Sequence, residues 1–242
     1  MRILFIRHGQ TPANVIGSLD TAAPGPGLTD LGTQQADAVV AALDHEPIAA
    51  IYVSKLRRTH ETAAPLAAAL GLTPVELPGT HEIEAGDLEG LTTHDAVRTY
   101  MGTVFAWGSG DLTPRMPGGF DGTAFFDRFD ASIAQVVANH PADATVVVVS
   151  HGAAIRVWTA ARVANLGDGF TSDNLLANTG VVVVQSTGVD ASVGKAGAGT
   201  DSAASAWTAL SWADMPLGGA NLSDPTADDP TGDTLDGALD DD

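Results

Sequence analysis

Apolar residues fall along this chain in two kinds of run. Short continuous runs end at Ile3–Arg7, Ala49–Val53, Pro74–Leu77, Ala144–Ser150 and Gly180–Gln185. Most lack the alternation of a half-solvated strand, so they read as strands buried on both faces. Between them, Thr29–His45, Leu56–Leu70, Thr92–Met101, Asp121–Asn139 and Ala153–Ala164 carry apolar residues at helical spacing. Thr29 or Asp30 supplies a cap for the first, and Gly71 a C-terminal stop for the second. Strands alternating with helices predict an α/β fold, a three-layer α/β/α sandwich around a mostly parallel sheet. One more strand, Ala206–Trp212, is predicted at a sheet edge.

Three stretches break the pattern. Gly102–Gly122 is rich in Gly and Pro, holds Trp107, and reads as an irregular loop placed over the site. Ser186–Ser205 is rich in Gly, Ala and Ser and reads as a flexible insertion. From Asn221 onward there are many aspartates and no apolar periodicity, the composition of a disordered segment. The expected organisation is one catalytic domain over residues 1–217, with the insertion at about 186–205, followed by an acidic, disordered tail over 218–242.

Charge narrows the class. The chain has 242 residues, a net charge of −19 and only 11 lysines and arginines. Such a field excludes non-specific binding to nucleic acid or anionic membranes. It also makes each cation informative. Cysteine is absent, which excludes disulfides, thiolate zinc sites and iron–sulfur clusters. The N-terminus enters a strand without a signal-peptide core, and no apolar run approaches the ~20 residues of a membrane span. A cytoplasmic location is expected. His45, His60, His81, His94 and His140 show no metal-ligand spacing.

The cations and histidines gather at strand ends. Arg7-His8-Gly9 follows the first strand, and Ser150-His151-Gly152 follows a run of four valines. The carboxyl edge of an open α/β sheet is where such folds bind ligands. Arg57 and Arg58 open a helix, and a Glu-rich segment spans Glu82–Gly90. A neutral imidazole can attack phosphorus, while fixed cations hold the charge of the transferred phosphoryl. These are the parts of phosphoryl transfer through a histidine.

Six motifs occur together in order: Arg7-His8-Gly9-Gln10-Thr11-x-x-Asn14, Leu28-Thr29-x-x-Gly32-x-x-Gln35-Ala36, Ser54-x-Leu56-x-Arg58-Thr59-x-x-Thr62-Ala63, Glu82-x-x-x-Gly86-x-x-Glu89-Gly90, Pro117-Gly118-Gly119 with Arg128, and Ser150-His151-Gly152-x-x-Ile155-Arg156. The series resembles the histidine phosphatase superfamily, the phosphoglycerate mutase-like family. The resemblance implies a phosphoglycerate mutase-like fold and hydrolysis of a phosphomonoester through a covalent phosphohistidine on His8. It implies Glu82 as proton donor, with Glu84 and Glu89 as neighbouring competitors. It implies Arg7, Arg58 and His151 as the phosphoryl clamp, and Gly9, Gln10, Thr11 and Asn14 as substrate-binding residues. Neither metal nor organic cofactor is expected. The expected partner is a small-molecule or peptide phosphomonoester, with no nucleic acid and no membrane. Gln10 stands where the mutases of the family carry Glu, and their long basic and proline-rich insertions are not seen, which favours hydrolase over mutase. Phe120-Asp121 replaces the family's usual Glu-Ser, so the substrate pocket differs there. A mutase-type phosphotransferase and a non-catalytic phospholigand-binding protein are the alternatives.

Overall fold

The computed structural model describes residues 1–187, 207–234 and 237. Strands are β1 (Arg2–Arg7), β2 (Ile48–Val53), β3 (Val75–Glu76), β4 (Thr145–Ser150), β5 (Val181–Ser186) and β6 (Trp207–Ala213). Helices are α1 (Pro12–Val15), α2 (Asp30–Ala42), α3 (Arg57–Leu70), α4 (His94–Gly108), α5 (Gly122–Asn139), α6 (Gly152–Arg162) and α7 (Phe170–Asp173). The sheet order is β3-β2-β4-β1-β5-β6. The first four strands pair in parallel, whereas β5 and β6 run antiparallel at one side. The last strand lies at the edge, as its sequence predicts.

Successive strand residues face opposite layers, and β1, β2, β4 and β5 feed two cores. Both residues of the short edge strand β3 are exposed, contrary to the expectation of burial on both faces. Ile3, Phe5, Val146, Val148, Val182 and Val184 pack with Phe129, Trp158, Tyr100 and Trp107 of α4, α5 and α6. Leu4, Ile6, Ile51, Val53, Val147 and Val149 pack with Val39, Ala63 and Leu66 of α2 and α3. Burial on both faces is why these strands read as unbroken apolar runs. Thr29 caps α2 by accepting from the Gly32 amide at 2.9 Å. Gly71 ends α3 in the left-handed region at φ 65°, where glycine meets no Cβ clash. Among the described residues, no helix is long and apolar enough to cross a membrane.

Two expectations change. The irregular loop expected from Gly102 begins only after Gly108, because Val104, Phe105 and Trp107 continue the buried face of α4. Trp107 is core, and its indole N–H donates to Pro114 O at 2.8 Å. The acidic segment expected to be disordered has defined contacts over 218–234. It lacks apolar periodicity because polar side chains hold it: Gln35 donates to Leu222 O at 2.8 Å and Gln10 to Asp224 at 2.9 Å. Apart from Ser186 and Thr187, the expected insertion lies outside the described residues, as do 235, 236 and 238–242.

Candidate active site

Sheet register places the two histidines side by side. β1 and β4 run in parallel with Arg7 opposite Ser150, and the His8 amide donates to Ser150 O at 3.0 Å. His8 and His151 therefore leave adjacent strands at the same carboxyl edge, with ring centroids 5.2 Å apart. β2 flanks β4 on its other side, Val53 opposite Val149. The next residue, Ser54, reaches His151 Nε2 with its Oγ at 2.7 Å. α3 follows at once. Its Arg57 points outward to Glu61, while Arg58 is buried.

His8 is 3% exposed, and its Nδ1 lies 2.8 Å from Gly9 O. A carbonyl oxygen only accepts, so Nδ1 carries the proton and the lone pair sits on Nε2. Burial, then Arg58 and Arg7, push the His8 pKa well below the usual histidine range. The ring is thus held neutral, the form able to attack. Burial, then Arg58 and His8, lower His151 in the same way. Ser54 Oγ accepts from the Leu56 amide at 3.2 Å and can donate to His151 Nε2, which leaves the His151 proton on Nδ1.

The arginines are partly committed. Arg7 Nη1 donates to Leu176 O at 2.9 Å, and Nη2 donates to Asp229 at 2.7 Å and to Thr231 Oγ1 at 2.9 Å. Arg58 is turned to Asp20, donating to its carboxylate at 3.2 Å and its carbonyl at 2.9 Å. Among the described residues, Arg7 Nε, Arg58 Nε and His151 Nδ1 are buried without a hydrogen-bond partner. Buried donors are normally satisfied. Three orphans from the residues around one neutral histidine describe a place for an oxyanion.

Glu82 sits at the N-terminus of α6. Its carboxylate accepts from the Ile83, Ala153 and Ala154 amides at 2.9, 3.2 and 2.9 Å. Burial raises its pKa despite these donors and Arg58. Glu84 instead pairs with His81 at 2.5 Å and Arg128 at 3.2 Å, and Glu89 accepts from the Thr21 and Ala22 amides. Of the three carboxylates only Glu82 lines the cavity with His8. Arg128 braces this segment, donating to Gly79, His81 and Glu82 carbonyls.

The other residues of the first motif divide. Thr11 and Asn14 line the cavity. They form a reciprocal cap on α1, and Asn14 Nδ2 donates to Asp229 at 3.1 Å. Gly9 and Gln10 have other partners. A Cβ on Gly9 would stand 2.7 Å from Gly32 O, and one on Gly32 2.1 Å from Gln10 O, so both glycines let the loop after β1 touch α2. The Gln10 side chain accepts from Thr29 and donates to Asp224. Asp121 caps α5 through the Ala124 amide at 3.1 Å, which gives the altered Phe120-Asp121 pair a local role.

Sequence reasoning assigned no role to Ser54, Asp20, Asn178, Asp229 or Thr231. Ser54 was visible inside the second arginine motif. The others are brought in by distant chain segments: Asn178 donates to His8 O at 3.1 Å. Beside it, Thr179 takes φ 57°, a strained setting for a β-branched residue, and donates to Arg7 O at 3.0 Å. Among the described residues, no group of three or more acidic or histidine side chains is arranged to hold a metal ion.

Known proteins resemble this chain over most of its length. The family model of the histidine phosphatase superfamily (branch 1) matches residues 3–196. The chain is 42% identical over 195 residues to the PE-PGRS family protein PE_PGRS11 of Mycobacterium tuberculosis, covering 75% of this chain but only 33% of that protein. It therefore spans about a third of the length of that relative. It is 32% identical over 164 residues to phosphoglycerate mutase-like protein 4 of Arabidopsis thaliana, covering 64% of this chain and 67% of the relative. The solved structure of a mycobacterial glucosyl-3-phosphoglycerate phosphatase superposes with a TM-score of 0.64 at 28% identity, over 77% of this chain and 90% of that one.

Proposed function

The chain belongs to the histidine phosphatase superfamily, and from that premise we propose that it hydrolyses phosphomonoesters through a covalent phosphohistidine on His8. The observation that carries this reading is the set of three orphaned buried donors, Arg7 Nε, Arg58 Nε and His151 Nδ1, around a histidine whose lone pair is on Nε2.

In the first half-reaction His8 Nε2 attacks phosphorus, the N–P bond forms and the ester P–O bond breaks. The leaving oxygen takes the proton of Glu82, whose raised pKa favours the protonated form. A dianionic substrate raises it further. Arg7, Arg58, His151 and Asn14 hold the equatorial oxygens, and each charge-assisted bond contributes about 1.5–3 kcal/mol. Water then attacks phosphorus with Glu82 as base, the N–P bond breaks, and phosphate leaves with His8 neutral again. Every step uses side chains alone, so turnover is expected to persist in excess EDTA. The substrate class is a small-molecule or peptide phosphomonoester. The glucosyl-3-phosphoglycerate phosphatase relative puts phosphorylated sugar acids first in the screen.

The test is intact-protein mass spectrometry after rapid mixing with a phosphodonor at neutral pH, on wild type and His8→Ala. An acid-labile phosphoryl adduct in wild type and none in the variant is expected. Turnover that survives His8→Ala unchanged refutes the route.

A further inference from the structure

An anion already engages two of the residues assigned to the phosphoryl clamp. Asp229 accepts from Arg7 Nη2 and Asn14 Nδ2 through a single carboxylate oxygen, Oδ1. Thr231 Oγ1 accepts from the same Arg7 nitrogen, and Arg156 donates to Thr231 O at 3.2 Å. The space left beside His8, Arg58, Glu82, Asp229 and Thr231 is about 20 Å³. That is room for a single water, which needs about 10–15 Å³, and not for a phosphoryl group. A phosphoryl group fits here only if one of the lining segments, 229–231 among them, moves.

The segment fits closely. A Cβ on Gly232 would stand 2.0 Å from Arg7 Nη1, and one on Gly152 would stand 2.4 Å from Thr231 O. Glycine at both places lets the backbone reach the site. Yet residues 218–234 contribute no side chain to either hydrophobic core. A cleft of about 290 Å³ is lined by Asp224, Ala227 and Asp229 of the segment together with Gln35 and Asn178. A segment held mainly by polar contacts outside the two cores has lower local stability than they do.

We propose that residues 224–233 form an internal strap whose Asp229 carboxylate lies beside the phosphoryl position and competes with substrate for Arg7 and Asn14. This rests on the phosphoryl-site reading of the previous subsection. The strap is tethered, so it competes at a high effective concentration. Apparent affinity for any phosphoryl ligand is reduced by the fraction of molecules with the strap lifted.

The experiment is calorimetric titration of inorganic phosphate into full-length wild type and Asp229→Asn, with hydrogen exchange on wild type alone. Asp229→Asn is expected to bind phosphate about ten- to hundredfold more tightly, the range of one charge-assisted hydrogen bond. In wild type, saturating phosphate is expected to speed exchange at the Leu176 amide, which donates to Gly232 O at 2.8 Å, and at the Gly232 amide, which donates to Asp229 O. Equal or weaker phosphate binding by Asp229→Asn, or slower exchange at those amides, overturns the strap while leaving the phosphoryl site standing. Failure of both proteins to bind phosphate and to cleave an aryl phosphate overturns the phosphoryl-site reading, and the strap with it. If Asp229→Asn does not fold, the wild-type exchange experiment decides.

Discussion

Replacing Glu82 with Gln isolates the proton-donor role, because the two side chains have nearly the same shape. Glu82 Oε1 accepts from the Ile83 and Ala154 amides, and Oε2 from Ala153. Gln keeps the first pair through its carbonyl oxygen and sets an NH₂ group against the Ala153 amide. That lost bond costs about 1–3 kcal/mol, offset in part because a buried charge is no longer required. The protein should therefore fold, and its kinetics can be read. Loss of a general acid costs roughly 10²–10⁴ in rate. The loss should depend on the leaving group: an alkyl phosphate, whose departing oxygen needs the proton, takes that penalty, while a nitrophenyl phosphate loses about tenfold or less. The pH profile follows with a definite sign. Burial raises the Glu82 pKa, so the phosphorylation step of the wild type slows as pH climbs through that raised value, and Glu82→Gln flattens this limb. The same shift makes the Glu82 contribution to stability fall as pH rises from the usual carboxyl range to the raised value, because the native state binds the proton more tightly. Single-turnover quench-flow with both esters, from pH 5 to 8, is the assay. Equal losses for the two esters, or an unchanged limb in the variant, would refute the assignment.

Ser54→Ala removes the hydroxyl that orients His151 at 2.7 Å and accepts from Leu56. It should lower stability by about 1–3 kcal/mol in urea titration and weaken vanadate binding by releasing the His151 ring. Glu84 behaves differently from Glu82. Burial pushes it up, but the His81 hydrogen bond and Arg128 outweigh burial and hold its pKa at about 2. The stability it lends is present above the usual carboxyl range and is lost as pH falls toward about 2. Glu84→Gln should therefore flatten the urea midpoint against pH on the acid side and leave the leaving-group dependence of turnover alone.

What could be read without coordinates were the features whose physical cause is local. Continuous apolar runs mark strands covered on both faces, and Thr29 and Gly71 mark a helix start and stop through their own backbone bonds. Arg7-His8-Gly9 and Ser150-His151-Gly152 each follow such a strand, so their place at the sheet edge follows from chain direction alone. The extent of α4 was missed because Gly102 and Gly108 outweighed the buried Val104, Phe105 and Trp107 between them.

Local pattern carries no information about partners far along the chain, and there the tertiary structure decided. Arg7 and Ser150 are neighbours only because β1 and β4 pair in that register. Ser54 meets His151 because β2 lies on the other side of the same strand. The acidic tail shows the limit most sharply. Its composition resembles that of a solvated segment, yet Asp229 reaches Arg7 from 222 positions away. A carboxylate gains a place in a structure when buried cations lack partners, and which cations lack partners is known only once the chain has folded around them.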